Sequence, residues 1–216
     1  MSFESKPYLI GITGGSASGK THFLKSLRSL FSEQEVCIIS QDNYYKHAHD
    51  HQRDENGHIN FDLPECVDLH EFALDIARLG RGEVVTREEY LFQHVNQKGR
   101  MLTFNPAPVI ICEGLFIFYE PEIFDQFHLK IFINADEEIA LKRRLVRDVA
   151  ERNIEEDFVL YQWKHHVMPS YRQFLLPFMA QADLIVNNNV HFGHSLGVLS
   201  DHIRKHLEKT SSVQLA

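Results

Sequence analysis

The hydrophobic positions of this chain form two kinds of pattern that alternate along it. Short and almost continuous apolar runs predict buried β-strands over residues 8–13, 36–40, 109–118, 129–134 and 183–188. Apolar residues at helical spacing predict helices over residues 20–31, 68–79, 136–152, 156–180 and 194–208. Residues 83–92 give a weaker strand pattern. Buried strands that alternate with helices are typical of an α/β protein whose parallel sheet is covered on both faces.

Some helix termini carry local signals of their own. Asp68, with Glu71 three positions later, is typical of a helix start, and Gly80 is typical of a helix stop. Asp136 precedes the next long helical pattern in a capping position. We therefore expect these helices to begin directly after Asp68 and Asp136.

A glycine-rich segment joins the first predicted strand to the first predicted helix. Residues 14–21 read GGSASGKT, which satisfies the pattern G-x-x-x-x-G-K-[ST]. In such a loop backbone N–H groups surround a phosphate, and the helix that follows adds its positive end. A flexible glycine and serine turn is the alternative, but the flanking strand and helix favour a nucleotide site. The expected nucleotide contacts are Gly14, Gly15, Ser16, Ala17, Ser18, Gly19, Lys20 and Thr21.

Two acidic residues are associated with predicted strands. Asp42 comes two residues after the strand at 36–40, and Glu113 lies within the apolar segment 109–118. Ligands of open parallel sheets bind outside the carboxyl ends of the strands, so both acids are expected near Gly14. Asp42 could instead cap a turn. The guanine motif Asn-Lys-x-Asp is missing, which argues against a switch GTPase and favours phosphoryl transfer to a hydroxyl group.

Composition narrows the class of protein further. The 216 residues carry a net charge of −8, which argues against nonspecific electrostatic binding to nucleic acid or to an anionic membrane. We expect a single domain over residues 1–216. The three cysteines form no Cys-x-x-Cys pair, and we see neither a signal peptide nor a long apolar span. These features predict a cytoplasmic protein with no membrane partner.

Taken together, the motifs resemble the uridine kinase family, within the group that includes phosphoribulokinase and nicotinamide riboside kinase. The matching segments run in the family order over residues 8–188 and read GITGGSASGKT, ISQDNYY, INFDLPECVD, VIICEGLFIF, RRLVRDVAER and MPSYRQFLLP…ADLIV. The resemblance implies a three-layer P-loop kinase fold with a helical lid near 143–160 and an acceptor-binding insert near 43–105. It also implies ATP (or GTP) as donor, Mg²⁺, and the 5′-hydroxyl of uridine or cytidine as acceptor.

The resemblance implies a role for each matching residue. Asp42 would take the proton of the sugar hydroxyl as general base, with Lys20 and Arg147 completing the catalytic set. Arg147 and Arg152 would lie on the lid and phosphate side. The magnesium ligands would be Thr21, Glu113 and Asp42. The acceptor contacts would be Tyr45, Phe61, Asp62, Tyr90, Phe92, Arg144 and Gln162.

Several of these residues have simpler alternative interpretations. Arg144 with Asp148 and Arg147 with Glu151 are spaced i,i+4, as in the ion pairs of an ordinary surface helix. Asp62 could form a turn before Pro64. Tyr45 and Phe61 could be core aromatics.

The chain departs from the family pattern where the base is read. Uridine kinases typically carry Pro-x-Tyr-Asp-Phe-x-x-His, whereas this chain has Glu88 for the proline and Leu91 for the aspartate, and His94 one residue early. Asn153 and Ile154 replace the usual Gly-Arg after the lid. The acceptor could therefore be nicotinamide riboside, with Glu88 and Glu89 facing its cation, or another small hydroxyl compound. A degenerate member that binds nucleotide and regulates a partner is a further alternative.

The histidines and the oligomeric state leave hypotheses open. His47, His49 and His51 alternate and could ligate a metal ion or lie on an exposed loop. We expect His165 and His166 on a helix surface. Family analogy suggests a homo-oligomer, either a dimer or a tetramer.

Overall fold

The computed structural model describes residues 6–47, 51–92 and 97–213. Its centre is a five-stranded parallel sheet, and an antiparallel pair of strands lies apart from it. In chain order the strands are β1 (Tyr8–Gly14), β2 (Val36–Ser40), β3 (Val85–Glu88), β4 (Met101–Phe104), β5 (Val109–Glu113), β6 (Leu129–Asn134) and β7 (Leu184–Asn187). The sheet order β2-β5-β1-β6-β7 places β1 in the middle, and β3 pairs with β4.

Helices surround this sheet. They are α1 (Lys20–Arg28), α2 (Leu69–Gly80), α3 (Pro121–Phe124), α4 (Glu137–Ala150), α5 (Glu156–Gln162), α6 (Met168–Ser170), α7 (Leu176–Met179) and α8 (Gly193–Val213). Short 3₁₀ turns span Gln41–Tyr44 and Pro64–Cys66, while π-helical turns span Trp163–Val167 and Tyr171–Leu175. The predicted α/β class with a parallel sheet is confirmed.

Alternate residues of the strands enter two separate hydrophobic cores. On β5, Ile110 and Cys112 pack in the core that α2 and α3 cover. Val109 and Ile111, their neighbours in sequence, pack in the core that α1 and α8 cover. Strands buried on both faces explain why the apolar runs are almost continuous rather than alternating.

The structure differs from the sequence-based prediction at some boundaries. The apolar run 109–118 forms a strand only up to Glu113, and Phe116 is buried in the loop that follows. The weak strand pattern near residue 85 is paired with a strand that the pattern did not reveal, Met101–Phe104. The Asp68 carboxylate accepts a hydrogen bond from the Glu71 amide at 3.0 Å, which confirms the predicted start of α2.

The helix predicted over residues 156–180 is real but locally widened. Two π-helical turns, Trp163–Val167 and Tyr171–Leu175, interrupt its α-helical segments. Pro169 has no N–H to donate four residues back to His165, and its ring would crowd that carbonyl group, so the preceding turn widens. Pro177 likewise has no N–H to donate four residues back to Gln173, which lies in the second π turn.

Cys37, Cys66 and Cys112 are free thiols and all are buried. Burial raises the pKa of Cys37 to about 12 and that of Cys66 to about 11, so these thiols remain protonated. Within the residues that the structure describes, no helix combines the length and apolar character that crossing a membrane requires.

Candidate active site

The register of the sheet brings the predicted polar residues to one edge. Glu113, the last residue of β5, lies opposite Ile12 of β1 on one side and Ser40 of β2 on the other. The glycine-rich loop therefore leaves β1 beside Glu113, and Asp42 follows two residues after Ser40. Parallel strands share their carboxyl edge, so this convergence follows from the topology.

The backbone of the glycine-rich loop takes conformations that its sequence permits. Gly19 lies directly before α1 with a φ of 98°, in the left-handed region that favours glycine. A Cβ atom at Gly19 would also collide with the side-chain amide of Asn188. Asn188 is buried and donates a hydrogen bond from Nδ2 to the Ser18 carbonyl oxygen at 2.8 Å. The end of β7 thus supports the loop from behind.

Lys20 folds back over the loop that precedes it. Its Nζ donates hydrogen bonds to the carbonyl oxygens of Gly14 at 2.6 Å and Gly15 at 3.2 Å. Burial lowers the pKa of Lys20, while the nearby carboxylates of Glu113 and Asp42 oppose that shift. The ammonium group therefore already lies where a phosphate between loop and carboxylates would meet it. Thr21 follows in the first turn of α1 and is exposed.

Two carboxyl groups lie close together across from Lys20. Burial, and then the charge of Asp42, raise the pKa of Glu113 to about 7, against an opposing hydrogen bond from Ser40. Desolvation of its carboxyl group within the cleft also raises the pKa of Asp42, although the residue as a whole keeps exposed surface, and the charge of Lys20 partly reverses that shift. Two mutually repelling carboxylates supply oxygen donors of the kind that binds Mg²⁺ together with phosphate oxygens.

Three arginines converge on one buried carboxylate. Asp148 is 1% exposed and lies 3.2 Å from Arg144 Nε, 2.7 Å from Arg147 Nε and 3.2 Å from Arg152 Nη1. The interpretation of Arg144 and Asp148 as an exposed surface pair was wrong, because both side chains are buried. Arg147, for its part, pairs with Asp148. This carboxylate thus fixes three guanidinium groups at the cleft.

Arg144 also connects the helices to the glycine-rich loop. Its Nη1 donates a hydrogen bond to Ser16 Oγ at 2.8 Å, and its Nη2 donates one to Gln162 Oε1 at 3.2 Å. Burial raises the pKa of Asp62, while the charges of Arg144, His166 and Arg147 act in the opposite direction. Asp62 therefore lies within the electrostatic reach of the same arginines.

The predicted aromatic residues cluster beside Asp62. The ring of Tyr45 lies 4.8 Å from that of Phe92 and 5.5 Å from that of Tyr90, and Tyr90 lies 4.8 Å from Phe92. Phe61 approaches the Tyr45 ring at 6.3 Å, and the Tyr45 hydroxyl donates a hydrogen bond to its carbonyl oxygen at 3.2 Å. His51 packs edge-on against Phe61 at 4.9 Å. These rings form a wall suited to a planar group.

Sequence patterns did not identify some residues that lie at the site. Gln41 is buried, and its Oε1 accepts a hydrogen bond from the Phe116 amide at 2.8 Å, which ties the end of β2 to the loop after β5. The placement of His166 on a helix surface was wrong, since it is 2% exposed, whereas His165 is exposed as expected. A polar residue beside Asp42, or a histidine ahead of Pro169, offers only a faint signal in sequence alone.

Only some of the histidines considered as ligands of a metal ion lie within the described residues. His49 and His94 lie outside the described residues. Among those that are described, no group of three or more histidine, cysteine, aspartate or glutamate side chains is arranged to hold a metal ion. The proposal of a metal at His47, His49 and His51 therefore stays untested.

Comparisons with known proteins identify relatives of this chain. Residues 9–191 match the phosphoribulokinase / uridine kinase family. A uridine kinase of Chlamydia pneumoniae is 34% identical over 201 residues, which cover 93% of this chain and 90% of that protein. Uridine-cytidine kinase 2-B of Danio rerio is 32% identical over 208 residues, 92% of this chain and 80% of that protein.

A solved structure shows the same fold at lower sequence identity. Phosphoribulokinase from Rhodobacter spheroides is 18% identical and superposes with a TM-score of 0.61, covering 84% of this chain and 70% of that one. The family match spans most of the sequence and includes the glycine-rich loop, Asp42, Glu113 and the arginines of α4. The chain therefore belongs to the phosphoribulokinase / uridine kinase family.

Proposed function

We propose that this protein is a nucleoside kinase that transfers the γ-phosphoryl group of ATP, or of GTP, to the 5′-hydroxyl of uridine or cytidine. The observation that carries the proposal is the position of the Lys20 ammonium group, which bonds the glycine-rich loop at Gly14 and Gly15 and lies within electrostatic reach of Glu113, Asp42 and Asp62. Relatives named uridine kinase and uridine-cytidine kinase support the choice of acceptor.

The residues of the cleft divide the work of phosphoryl transfer. Backbone N–H groups of the glycine-rich loop and the Lys20 ammonium hold the donor phosphates. Arg147 and Arg152 meet the negative charge that spreads over the transferred group. Asp42 accepts the proton of the acceptor hydroxyl. Thr21, Glu113 and Asp42 would hold Mg²⁺, which neutralises phosphate charge and orients the donor.

The acceptor lies between the polar and the aromatic walls of the cleft. Asp62, Arg144 and Gln162 hydrogen-bond the ribose hydroxyls, and the base packs against Tyr45, Phe61, Tyr90 and Phe92.

The contacts of Glu88 and Glu89 are relevant to nicotinamide riboside as an alternative acceptor. Glu88 Oε1 accepts a hydrogen bond from the Gly99 amide at 3.0 Å, and Glu89 pairs with Arg100 at 2.9 Å. Because both carboxylates are engaged, they give that alternative less support.

We further propose the division of the chain that the family suggests. Residues 143–160 act as the lid, residues 43–105 form the acceptor-binding insert, and 1–216 is one domain. The buried free thiols support a reducing compartment, the cytoplasm. The net charge of −8 supports small-molecule partners rather than nucleic acid. We also propose that the protein forms a homo-oligomer, either a dimer or a tetramer.

The deciding experiment is ADP release by the purified protein with ATP and Mg²⁺, measured separately with uridine, cytidine, adenosine, nicotinamide riboside and pantothenate. Stimulation by uridine or cytidine alone is the expected result. Stimulation by nicotinamide riboside alone would show that the protein is a kinase whose acceptor is nicotinamide riboside instead of uridine or cytidine. ATP binding without stimulation by any compound would favour a regulatory protein.

A further inference from the structure

A single carboxylate joins the acceptor-binding insert to the helix opposite. Asp54 Oδ1 accepts hydrogen bonds from the backbone amides of Asn56 and His58, both at 2.9 Å. Asp54 Oδ2 accepts hydrogen bonds from the Tyr161 hydroxyl and from His166 Nε2, both at 2.7 Å. Because an ionised carboxylate only accepts, His166 carries its proton on Nε2. One side chain thus shapes a turn in the insert and holds two residues of another element.

The local helix geometry explains how two residues reach the same oxygen atom. Tyr161 and His166 are five positions apart, which places them on different faces of a regular α-helix. The π-helical turn Trp163–Val167 begins two residues after Tyr161 and contains His166, and its i→i+5 hydrogen bonding brings side chains five apart onto one face. Pro169 forces this widened turn. The distortion therefore produces the pair that Asp54 binds.

Further contacts close the same junction. The Asn56 side-chain amide donates a hydrogen bond to the Tyr161 hydroxyl at 2.7 Å. The ring of His58 packs edge-on against Phe158 at 4.8 Å and Tyr161 at 5.3 Å. Burial raises the pKa of Asp54, but hydrogen bonds from Tyr161 and its neighbours outweigh this effect and hold the pKa well below its usual range. Asp54 therefore stays charged, and its bonds are of the strong, charge-assisted kind.

The junction leads directly to the acceptor site at both of its ends. The segment that Asp54 shapes continues to Phe61 and Asp62. On the other side, His166 acts electrostatically on Asp62. Gln162, next to Tyr161 in sequence, accepts the hydrogen bond from Arg144. Movement at this junction would displace acceptor contacts on both walls. The donor loop meets these elements at Arg144, which donates a hydrogen bond to Ser16, and at Tyr171, whose ring lies beside Gly15.

We propose that Asp54 is a positioning residue for the acceptor: by holding Tyr161 and His166 it fixes the segment with Phe61 and Asp62 against the helix that carries Gln162. The inference rests on the proposed nucleoside kinase function and adds a positioning residue to its acceptor site. Asp54 acts on the acceptor through these neighbours. Its loss is therefore expected to weaken acceptor binding far more than ATP binding.

The kinetic test uses two variants of the junction and one control. Asp54→Asn keeps an oxygen for the backbone turn and removes the charge. Tyr161→Phe removes the hydrogen bond that the hydroxyl donates to Asp54 and the one that it accepts from Asn56. Glu55→Gln changes an exposed carboxylate one residue away and serves as the matched control. We expect the KM for uridine to rise about tenfold or more in both junction variants, with the ATP dissociation constant within twofold of wild type. An unchanged KM, or equal loss of ATP and acceptor binding, would overturn the proposal.

A second measurement keeps the test independent of the acceptor. Hydrogen–deuterium exchange of residues 54–62 and 156–166 is compared between wild type and Asp54→Asn in the folded protein. Loss of protection in both segments, with the β-strands still protected, supports the junction even if wild type phosphorylates none of the nucleosides. Unchanged protection in both segments overturns it. Failure of the proposed function is seen separately, in the acceptor panel with the wild-type protein.

Discussion

Glu113 and Asp42 show at the scale of single residues how position changes the chemistry of a carboxyl group. Glu113 ends β5 and Asp42 follows β2. Both have a raised pKa because desolvation of the carboxyl group, and in Glu113 also the charge of Asp42, disfavours ionisation. Because ionisation of the two carboxyl groups is disfavoured, either a bound cation or an added proton stabilises the site. That property is expected of a site that binds Mg²⁺ and accepts a proton.

The first prediction concerns Asp42 as general base. In Asp42→Asn, turnover with the active acceptor falls by about 10²- to 10⁴-fold, because the amide cannot take the hydroxyl proton. ATP affinity, measured by titration, stays close to that of wild type, since the glycine-rich loop and Lys20 are intact. Asp125→Asn, at an exposed position after α3, is the control. Turnover within tenfold of wild type would exclude Asp42 as the base.

The second prediction concerns Glu113 and the pH dependence of stability. The folded pKa of about 7 lies above the reference value of 4.5, so the folded state binds the proton more tightly than the unfolded state. The free energy of unfolding therefore falls as pH rises from about 4.5 to 7. Glu113→Gln removes this loss and stabilises the ligand-free protein at pH 8, by on the order of 1–3 kcal/mol, with a much smaller gain at pH 5.

Thermal unfolding at both pH values, without ATP or Mg²⁺, measures this effect. Glu122→Gln, an exposed substitution in α3, provides the comparison. A gain that is equal at pH 5 and pH 8 would show that ionisation of Glu113 is not its cause.

At the scale of elements, α4 shows how one face of a helix is organised. Ala140, Arg144 and Asp148 follow at four-residue intervals and are buried. The Asp148 carboxylate at the end of this face bonds the guanidinium groups that face the cleft. Removal of one partner from a buried ion pair leaves charge without compensation, which is strongly destabilising. The helix thus depends on Asp148 both for its stability and for the aim of its arginines.

The third prediction follows from that arrangement. In Asp148→Asn the arginines lose their shared counter-charge, and we expect turnover to fall about tenfold or more and the melting temperature to fall by several degrees. Steady-state kinetics and thermal unfolding of the same preparation measure both effects. Asp157→Asn, exposed in the first turn of α5, is the control. A lower melting temperature with unchanged turnover would limit Asp148 to a structural role.

At the scale of the whole molecule, the sheet holds together segments from across the chain. Asn188 supports the glycine-rich loop from 170 positions away, and the His166–Asp54 contact spans 112 positions. A ligand that binds the loop therefore stabilises an assembly of distant parts. By mass action, ligand binding to the folded state raises the free energy of unfolding.

The fourth prediction measures this coupling. ATP with Mg²⁺ at about 100 times its dissociation constant adds about 2.7 kcal/mol, which raises the melting temperature of a protein of this size by about 5–10 °C. Lys20→Ala loses most of the shift, because it removes the ammonium group beside Gly14 and Gly15. An exposed change, Lys142→Ala, keeps it. Equal shifts in wild type and Lys20→Ala would exclude the glycine-rich loop as the ATP site.

The sequence by itself determined the fold class, the glycine-rich loop and the placement of Asp42 and Glu113. These features depend on local rules: apolar periodicity, the backbone freedom of glycine, and the shared carboxyl edge of parallel strands. The same rules made the start of α2 at Asp68 predictable.

Only the tertiary structure decided the burial of Asp148, the support from Asn188, and the junction of Asp54 with Tyr161 and His166. Spacing along a helix does not tell which of its faces other elements cover, so Asp148 fitted an exposed ion pair until packing placed it in the interior. His166 meets Asp54 because a widened turn rotates it toward a segment more than a hundred positions away. Such contacts depend on how distant parts of the chain pack together, and no local pattern encodes that packing.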